Sequence, residues 1–112
     1  MNILPRTVRN YSTLEGKIPF EDWLLALKDR KARAMIRNRM NRVRLGNMGD
    51  TESVGEGVFE LRIHFGPGYR VYFGELDQVI VILLCGGTKR TQRRDIERAK
   101  IYWRDLRSHG DE

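Results

Sequence analysis

The fold class that the sequence predicts is α+β, and three observations predict it. Residues 57–90 hold three strand-like stretches in succession. Two stretches before them, and one after, carry apolar side chains at helical spacing. With a short strand near the N-terminus, the sheet has about four strands, two of them paired as an antiparallel hairpin. At 112 residues, the chain is expected to form a single domain over 1–112, with one core and no room for a second.

The strands come first because they fix the faces. In the first, Phe59, Leu61, Ile63 and Phe65 alternate with Glu60, Arg62 and His64. In the second, Tyr69, Val71 and Phe73 alternate with Arg70 and Tyr72, and Gly66-Pro67-Gly68 marks the turn between them. Opposite residues of an antiparallel pair share a face, and a slip of one residue swaps faces. A three-residue loop at 66–68 keeps the faces matched, whereas a two-residue loop mixes them. The expected register sets His64 against Arg70, Ile63 against Val71 and Arg62 against Tyr72. Arg62, His64, Arg70 and Tyr72 then share one surface. The third strand, Val79–Cys85, is apolar throughout, as befits a central strand covered on both sides.

Elsewhere the chain alternates short signals with long ones. Thr7–Ser12 reads as a short edge strand, with Pro5 just before it. Pro19 stands at a first helical position, and Phe20, Trp23, Leu24 and Leu27 form an apolar stripe. A second helix over Arg30–Leu45 buries Ala32, Met35, Ile36, Met40 and Val43, and Gly46 ends it as a left-handed cap. Residues 46–50 and 55–57 form a flexible connection into the sheet. The last helix starts near Thr91 and buries Ile96, Ala99, Trp103 and Leu106, with fraying expected from Ser108.

Charge narrows the partners. A formal charge of +6 and a pI near 9.9 point to a polyanion, either nucleic acid or an acidic protein. The second helix carries seven cations, Arg37 and Arg44 among them, and no acid. Lys89, Arg90, Arg93 and Arg94 crowd the start of the last helix, where cations are disfavoured but anions bind. Two histidines far apart, one cysteine and no repeated carboxylate spacing argue against a metal site. No phosphate-cradling P-loop is present, so no cofactor is expected. Cys85 reads as a packing residue. The chain begins without a signal-peptide pattern and has no membrane-length apolar run, which leads to the expectation of a soluble cytoplasmic protein.

Two arginines facing one way on neighbouring strands repel one another unless an anion comes between them. That anion is either a bound phosphate or the carboxylates of Glu60 and its neighbours, in which case the face is merely solvated.

Several of these motifs together resemble the RelE/ParE superfamily of toxin–antitoxin proteins, in particular its HigB-like branch of addiction module killer proteins. They are Asp22-Trp23-Leu24 through Leu27-Lys28-Asp29, Glu60-Leu61-Arg62-Ile63, Gly66-Pro67-Gly68-Tyr69-Arg70-Val71-Tyr72 and Gly86-Gly87-Thr88-Lys89, with Gln92, Asp95-Ile96 and Ala99-Lys100. The likeness spans about residues 8 to 107. It implies a RelE-like fold, with two N-terminal helices on one side of a mostly antiparallel sheet and a C-terminal helix beside it. It also implies a metal-free ribonuclease that cuts mRNA on the ribosome, restrained by a helix-turn-helix antitoxin in a hetero-oligomer. Arg70 matches the family's sheet arginine at the scissile phosphate, Arg62 a basic position on the preceding strand, and Lys89 the basic residue before the last helix. The early-helix tyrosine of RelE is replaced here by Arg94 and Asp95.

Metal-free cleavage needs a base for the 2′-OH, cations for the charged phosphorane and an acid for the 5′-oxygen. Arg70, Arg62 and Lys89 suit the cationic role, while His64 and Tyr72 are the candidate proton carriers. Arg90, Arg93, Arg94, Arg37 and Arg44 are the candidate RNA contacts. This reading requires positions 62, 70 and 89 to converge. ParE relatives share the fold but inhibit DNA gyrase, and a basic nucleic-acid-binding module without catalysis is a third reading.

Overall fold

A computed structural model of the chain describes residues 4–109. A five-stranded sheet runs through its middle in the order β1-β5-β4-β3-β2. The strands are β1 (Thr7–Asn10), β2 (Thr51–Gly55), β3 (Val58–Ile63), β4 (Tyr69–Leu76) and β5 (Ile80–Thr88). Neighbours are antiparallel from β2 to β5, and β1 lies parallel to β5 at the far edge. Helices α1 (Pro19–Ala26) and α2 (Arg30–Arg44) pack on one face. Helix α3 (Gln92–His109), entered through a 3-10 turn at Lys89–Thr91, packs on the other.

The α+β class therefore holds, while strand count and helix placement differ from expectation. The added strand is β2, which pairs with β3 through Thr51–Leu61 and Ser53–Phe59. Its sequence, TESVG, has no apolar face, and both Glu52 and Ser53 are exposed. Pairing with β3, not local propensity, makes it a strand. Helix α3 lies across the sheet from α1 and α2 because β5 buries side chains on both faces. Val81 and Leu83 join the core under α1 and α2, and Ile82, Leu84 and Cys85 join the one under α3.

Local signals set the helices. Pro19 begins α1, where its missing N–H is no loss, and Phe20 and Leu24 are buried. Asp29 caps α2 by accepting from the Lys31 and Ala32 N–H groups at 2.9 and 3.2 Å. Gly46, at φ +94°, closes α2, with its N–H donating to Val43 O and the Asn47 N–H to Arg42 O, both at 2.9 Å. Helix α3 continues to His109, past the Ser108 where fraying is expected.

The β3–β4 hairpin keeps the expected faces but shifts the register by two. Arg62 lies opposite Arg70, Leu61 opposite Val71 and Glu60 opposite Tyr72. The loop is five residues long, 64–68, because Phe65–Gly68 closes its own turn, Gly68 N–H to Phe65 O at 3.0 Å. Either odd loop preserves the faces; the longer one takes His64 out of the ladder.

A bulge in β5 sets which way the two glycines beyond it face. Tyr72 pairs with Cys85 but Phe73 pairs with Leu83, so Leu84 is the extra residue and the alternation restarts past it. Gly86 then turns to the α1 side and Gly87 to the α3 side. A Cβ on Gly86 would run into the Trp23 ring, and one on Gly87 would run into Asp95 Oδ2. Tandem glycines let each face be approached closely at one level of the sheet.

Candidate functional site

The polar half of the sheet face that α3 leaves open is organised by Glu60, a carboxylate with no solvent exposure. Its Oε1 accepts from Arg62 Nε at 3.0 Å and lies 3.7 Å from Arg70 Nε. Its Oε2 accepts from the Tyr72 hydroxyl at 3.0 Å and from Gln92 Nε2 at 2.7 Å. Strands β3 and β4 and the first turn of α3 thus meet on one side chain. A buried carboxylate is tolerated only when paired and hydrogen-bonded, and this one is both.

Arg70 is the matching cation, with 9% of its side chain exposed. Its Nη1 donates to Tyr69 O at 3.4 Å, but its buried Nε has no hydrogen-bond partner. That nitrogen faces Glu60 Oε1 at 3.7 Å, so charge attraction rather than a hydrogen bond holds the arginine on this side. A methyl group on Gly68 would lie 3.5 Å from Arg70 Nη1 and 3.6 Å from Lys89 Cβ. The Lys89 N–H also donates to Gly68 O at 2.8 Å, which ties the entry to α3 onto the hairpin loop. Arg70 and Lys89 therefore flank one glycine.

Arg62 reaches Arg70 through Glu60, whose Oε1 both arginines face. Its guanidinium is also engaged by Glu52 and, at 3.7 Å, by Asp50, so carboxylates are the anions beside it. Its expected cross-strand partner, Tyr72, is corrected to Arg70. The hydrogen bonds to Glu52 and Glu60 raise the Arg62 pKa further. His64 is corrected too. Instead of facing Arg70 it stands beyond the end of β3, 72% exposed, with Nε2 2.7 Å from Asp50 Oδ2. That bond, ahead of the nearby Arg62 charge, holds the Asp50 carboxyl below its usual range. Tyr72 shares the expected face, yet it has no exposed surface and cannot stack on a base. Burial, reinforced by Glu60, raises its phenol far above the ordinary range, so it is neutral and donates.

The turn into α3 is built on Thr88, Thr91 and Asp95. The Thr88 N–H donates to Thr91 Oγ1 at 3.2 Å, and the Thr91 hydroxyl also contacts the buried Asp95 carboxylate. Asp95 faces Gly87 across the bulge-reset strand, so the turn cannot slide along β5. Arg90, Arg93 and Arg94 emerge from this turn and line a shallow groove with Thr91 and Glu97. Arg37 and Arg44 lie elsewhere. They line a cleft between α1, α2 and β1 on the opposite side of the sheet, where Arg37 stands 3.9 Å from Glu21 and Arg44 donates to Asn41 Oδ1 at 2.7 Å.

Sequence reasoning placed Glu60 only as a neutralising charge and gave Asp95, Thr91 and Gln92 no site role. A signal for Glu60 existed. It is the single acid on the polar face of the hairpin, two residues from Arg62 on the same strand.

Residues 22–104 match the family described as phage-derived Gp49-like protein (DUF891). A protein of Haemophilus influenzae described as uncharacterized is 49% identical over 93 residues, covering 83% of this chain and 94% of that protein. The family match takes in most of α1 through most of α3, and with them Glu60, Arg70, Lys89 and Asp95. On that span the chain belongs to the Gp49-like family of phage-derived proteins, a family of addiction-module toxins of the RelE/HigB kind.

Proposed function

We propose that this toxin arrests translation by cutting mRNA on the ribosome without a metal, and that a helix-turn-helix antitoxin restrains it in a hetero-oligomer. The observation that carries the reading is Arg70, fixed by Glu60 on the sheet face next to Lys89 and the α3 turn. In the reaction, the 2′-oxygen attacks the adjacent phosphorus, its proton leaves to a base, and the 5′-oxygen departs with a proton from an acid. The phosphorane between these events carries extra negative charge. Arg70 meets that charge. Lys89, Arg90, Arg93 and Arg94 hold the phosphates on either side. Glu60 is a positioning residue: saturated with donors, it fixes Arg70, Tyr72 and Gln92 relative to one another. Arg62 acts through Glu60, and Tyr72 keeps a proton on the buried network. Arg37 and Arg44 are proposed to meet RNA from the far side of the sheet.

The test is expression of the Arg70→Ala chain without antitoxin, read by growth and by primer extension on translated messages. Growth without breaks is the expected result, against arrest and discrete in-codon breaks for the parent. A fully toxic Arg70→Ala chain overturns the assignment.

A second reading, gyrase inhibition as in ParE relatives or nucleic-acid binding without catalysis, is favoured by a specific observation. The carboxylates around Arg62 neutralise its charge, and Tyr72 is closed off from solvent, so two candidate groups are otherwise engaged. Gyrase-dependent DNA damage on induction, with messages intact, selects gyrase inhibition. Binding without arrest selects the non-catalytic module.

A further inference from the structure

Behind the His64 end of β3 lies a cleft of about 420 Å³, bounded by the second half of α2, the loop before β2, and Ile63. Its floor is apolar, from Met35 and Ile63, while Asn38, Arg42, Asp50 and His64 stand around it. Arg39 forms a wall. Its Nη1 donates to Met48 O at 2.8 Å and its Nη2 to Arg62 O at 3.2 Å. Gly49 suits the place, since φ is +68° and a Cβ would come within 2.6 Å of that guanidinium. Arg39 and Arg42 lie close enough to oppose each other's charge, and among the described residues neither has a carboxylate within ion-pair distance. The acid in the cleft, Asp50, is already shared between His64 and Arg62.

We infer that this cleft holds one nucleotide of a single-stranded RNA, its base on Met35 and Ile63 and its phosphate on Arg42. The inference rests on the nuclease reading and deepens it by naming a second contact to the RNA. The donor set favours a nucleotide over an acidic peptide. Asparagine amides both donate and accept, as base edges require. The Asp50 oxygens can accept from an exocyclic amino group or a 2′-OH, donors that a nucleotide has and a glutamate side chain lacks. A cationic rim above an apolar floor matches a planar base joined to a phosphate. The cleft is also wired to the sheet site. Arg62 touches Asp50 at its rim and Glu60 beside Arg70, so both sites share one guanidinium. An RNA strand passing the His64 end of β3 would meet Arg70 on one side and the cleft on the other.

The test is titration of the isotope-labelled full chain with each nucleoside 5′-monophosphate, with inorganic phosphate, and with a short polyglutamate, read by backbone amide shifts. The expected result is a saturable response at Asn38, Arg42, Asn47 and Gly49 to the nucleotides, with a weaker one to phosphate alone. Arg42 and Asn38 lie outside the buried core, so Arg42→Ala and Asn38→Ala leave it untouched. Each should weaken the response about tenfold, and Arg42→Lys should restore part of it. For a single-stranded RNA, Arg42→Ala should lower the salt slope of binding by about one. No response in the cleft overturns the inference, as does tighter binding of polyglutamate at the same residues, which would make it a docking site for an acidic protein. The two failures are separable. Cutting of messages by a chain whose cleft ignores nucleotides removes the cleft alone. A responsive cleft in a chain that cuts nothing removes the nuclease reading alone.

Discussion

The two faces of the sheet are made by alternate residues of the same strands, and they have opposite chemistry. Under α1 and α2, Leu61, Ile63, Val71 and Phe73 meet Phe20, Leu24, Ile36 and Met40, with no charged group among them. On the other face, α3 covers Val58, Leu84 and Cys85, and its first turn reaches Glu60 through Gln92 while leaving Arg62 part-exposed. One face is closed by hydrocarbon. The other is closed by hydrocarbon at one end and by an ion network at the other. Two kinds of stability are thereby kept apart. The apolar face holds the domain together, and the network holds one arginine in place at a cost the apolar face can bear.

Substitutions that strike one face and spare the other put this contrast to the test. The largest effect is expected from Phe73→Ala, buried against Phe59 in the α1/α2 core, at about 3–5 kcal/mol of stability by denaturant unfolding. Glu60→Ala comes next, at about 3 kcal/mol, because it leaves the Arg70 charge buried without its partner. Arg70→Ala costs less, since Glu60 keeps Arg62, Tyr72 and Gln92. The double variant should then be more stable than the sum of the singles, by about 1 kcal/mol or more. Additive losses would mean the pair is not coupled.

The tandem glycines bring the two faces together at a single level of the sheet. Gly86→Ala drives a methyl into the rigid Trp23 ring and should cost about 1–3 kcal/mol. Gly87→Ala meets the end of the Asp95 side chain, which can turn aside, so its stability loss is smaller. It does disturb the Thr91–Asp95 contact next to Lys89, and so, on the proposed function, it should lower toxicity more than Gly86→Ala does. Equal effects on unfolding and on toxicity would dissolve the distinction between the faces.

The smallest effect concerns Cys85. Burial, ahead of the charge on Asp95, pushes its thiol up to about 12. Its folded pKa exceeds the unfolded one, so its contribution to stability is present below about pH 9 and declines as pH rises towards 12. A thiol reagent at about pH 8 should label Cys85 only in denaturant. Rapid labelling of the native chain would mean that the α3 face opens.

Much of this was legible in the residues. Helices α1 and α2 announce themselves by Pro19, by apolar spacing and by Gly46. The parity of β3 and β4 follows from alternation, and survives although the loop is two residues longer than expected. Strand β2 was hidden because its pattern is polar and only the β3 edge makes it a strand. The side taken by α3 was readable in principle from β5, whose apolar run demands cover on both faces. The site was half legible. Alternation puts Arg62 and Arg70 on one surface, but it cannot say which arginine the carboxylates will hold. That depends on Asp50 and Glu52, which reach Arg62 only through β2.

The parallel pairing of β1 with β5 has a consequence for how the chain comes into being. Thr7 waits for Ile80, and α1 and α2 wait for the strands whose apolar side they cover. Almost nothing made early in synthesis can settle until the late segments leave the ribosome, and closing so long a loop delays it further. A nascent chain of this kind carries its arginines long before it has a sheet to array them on. On the proposed function, it should stay inactive until β5 and the start of α3 have left the ribosome.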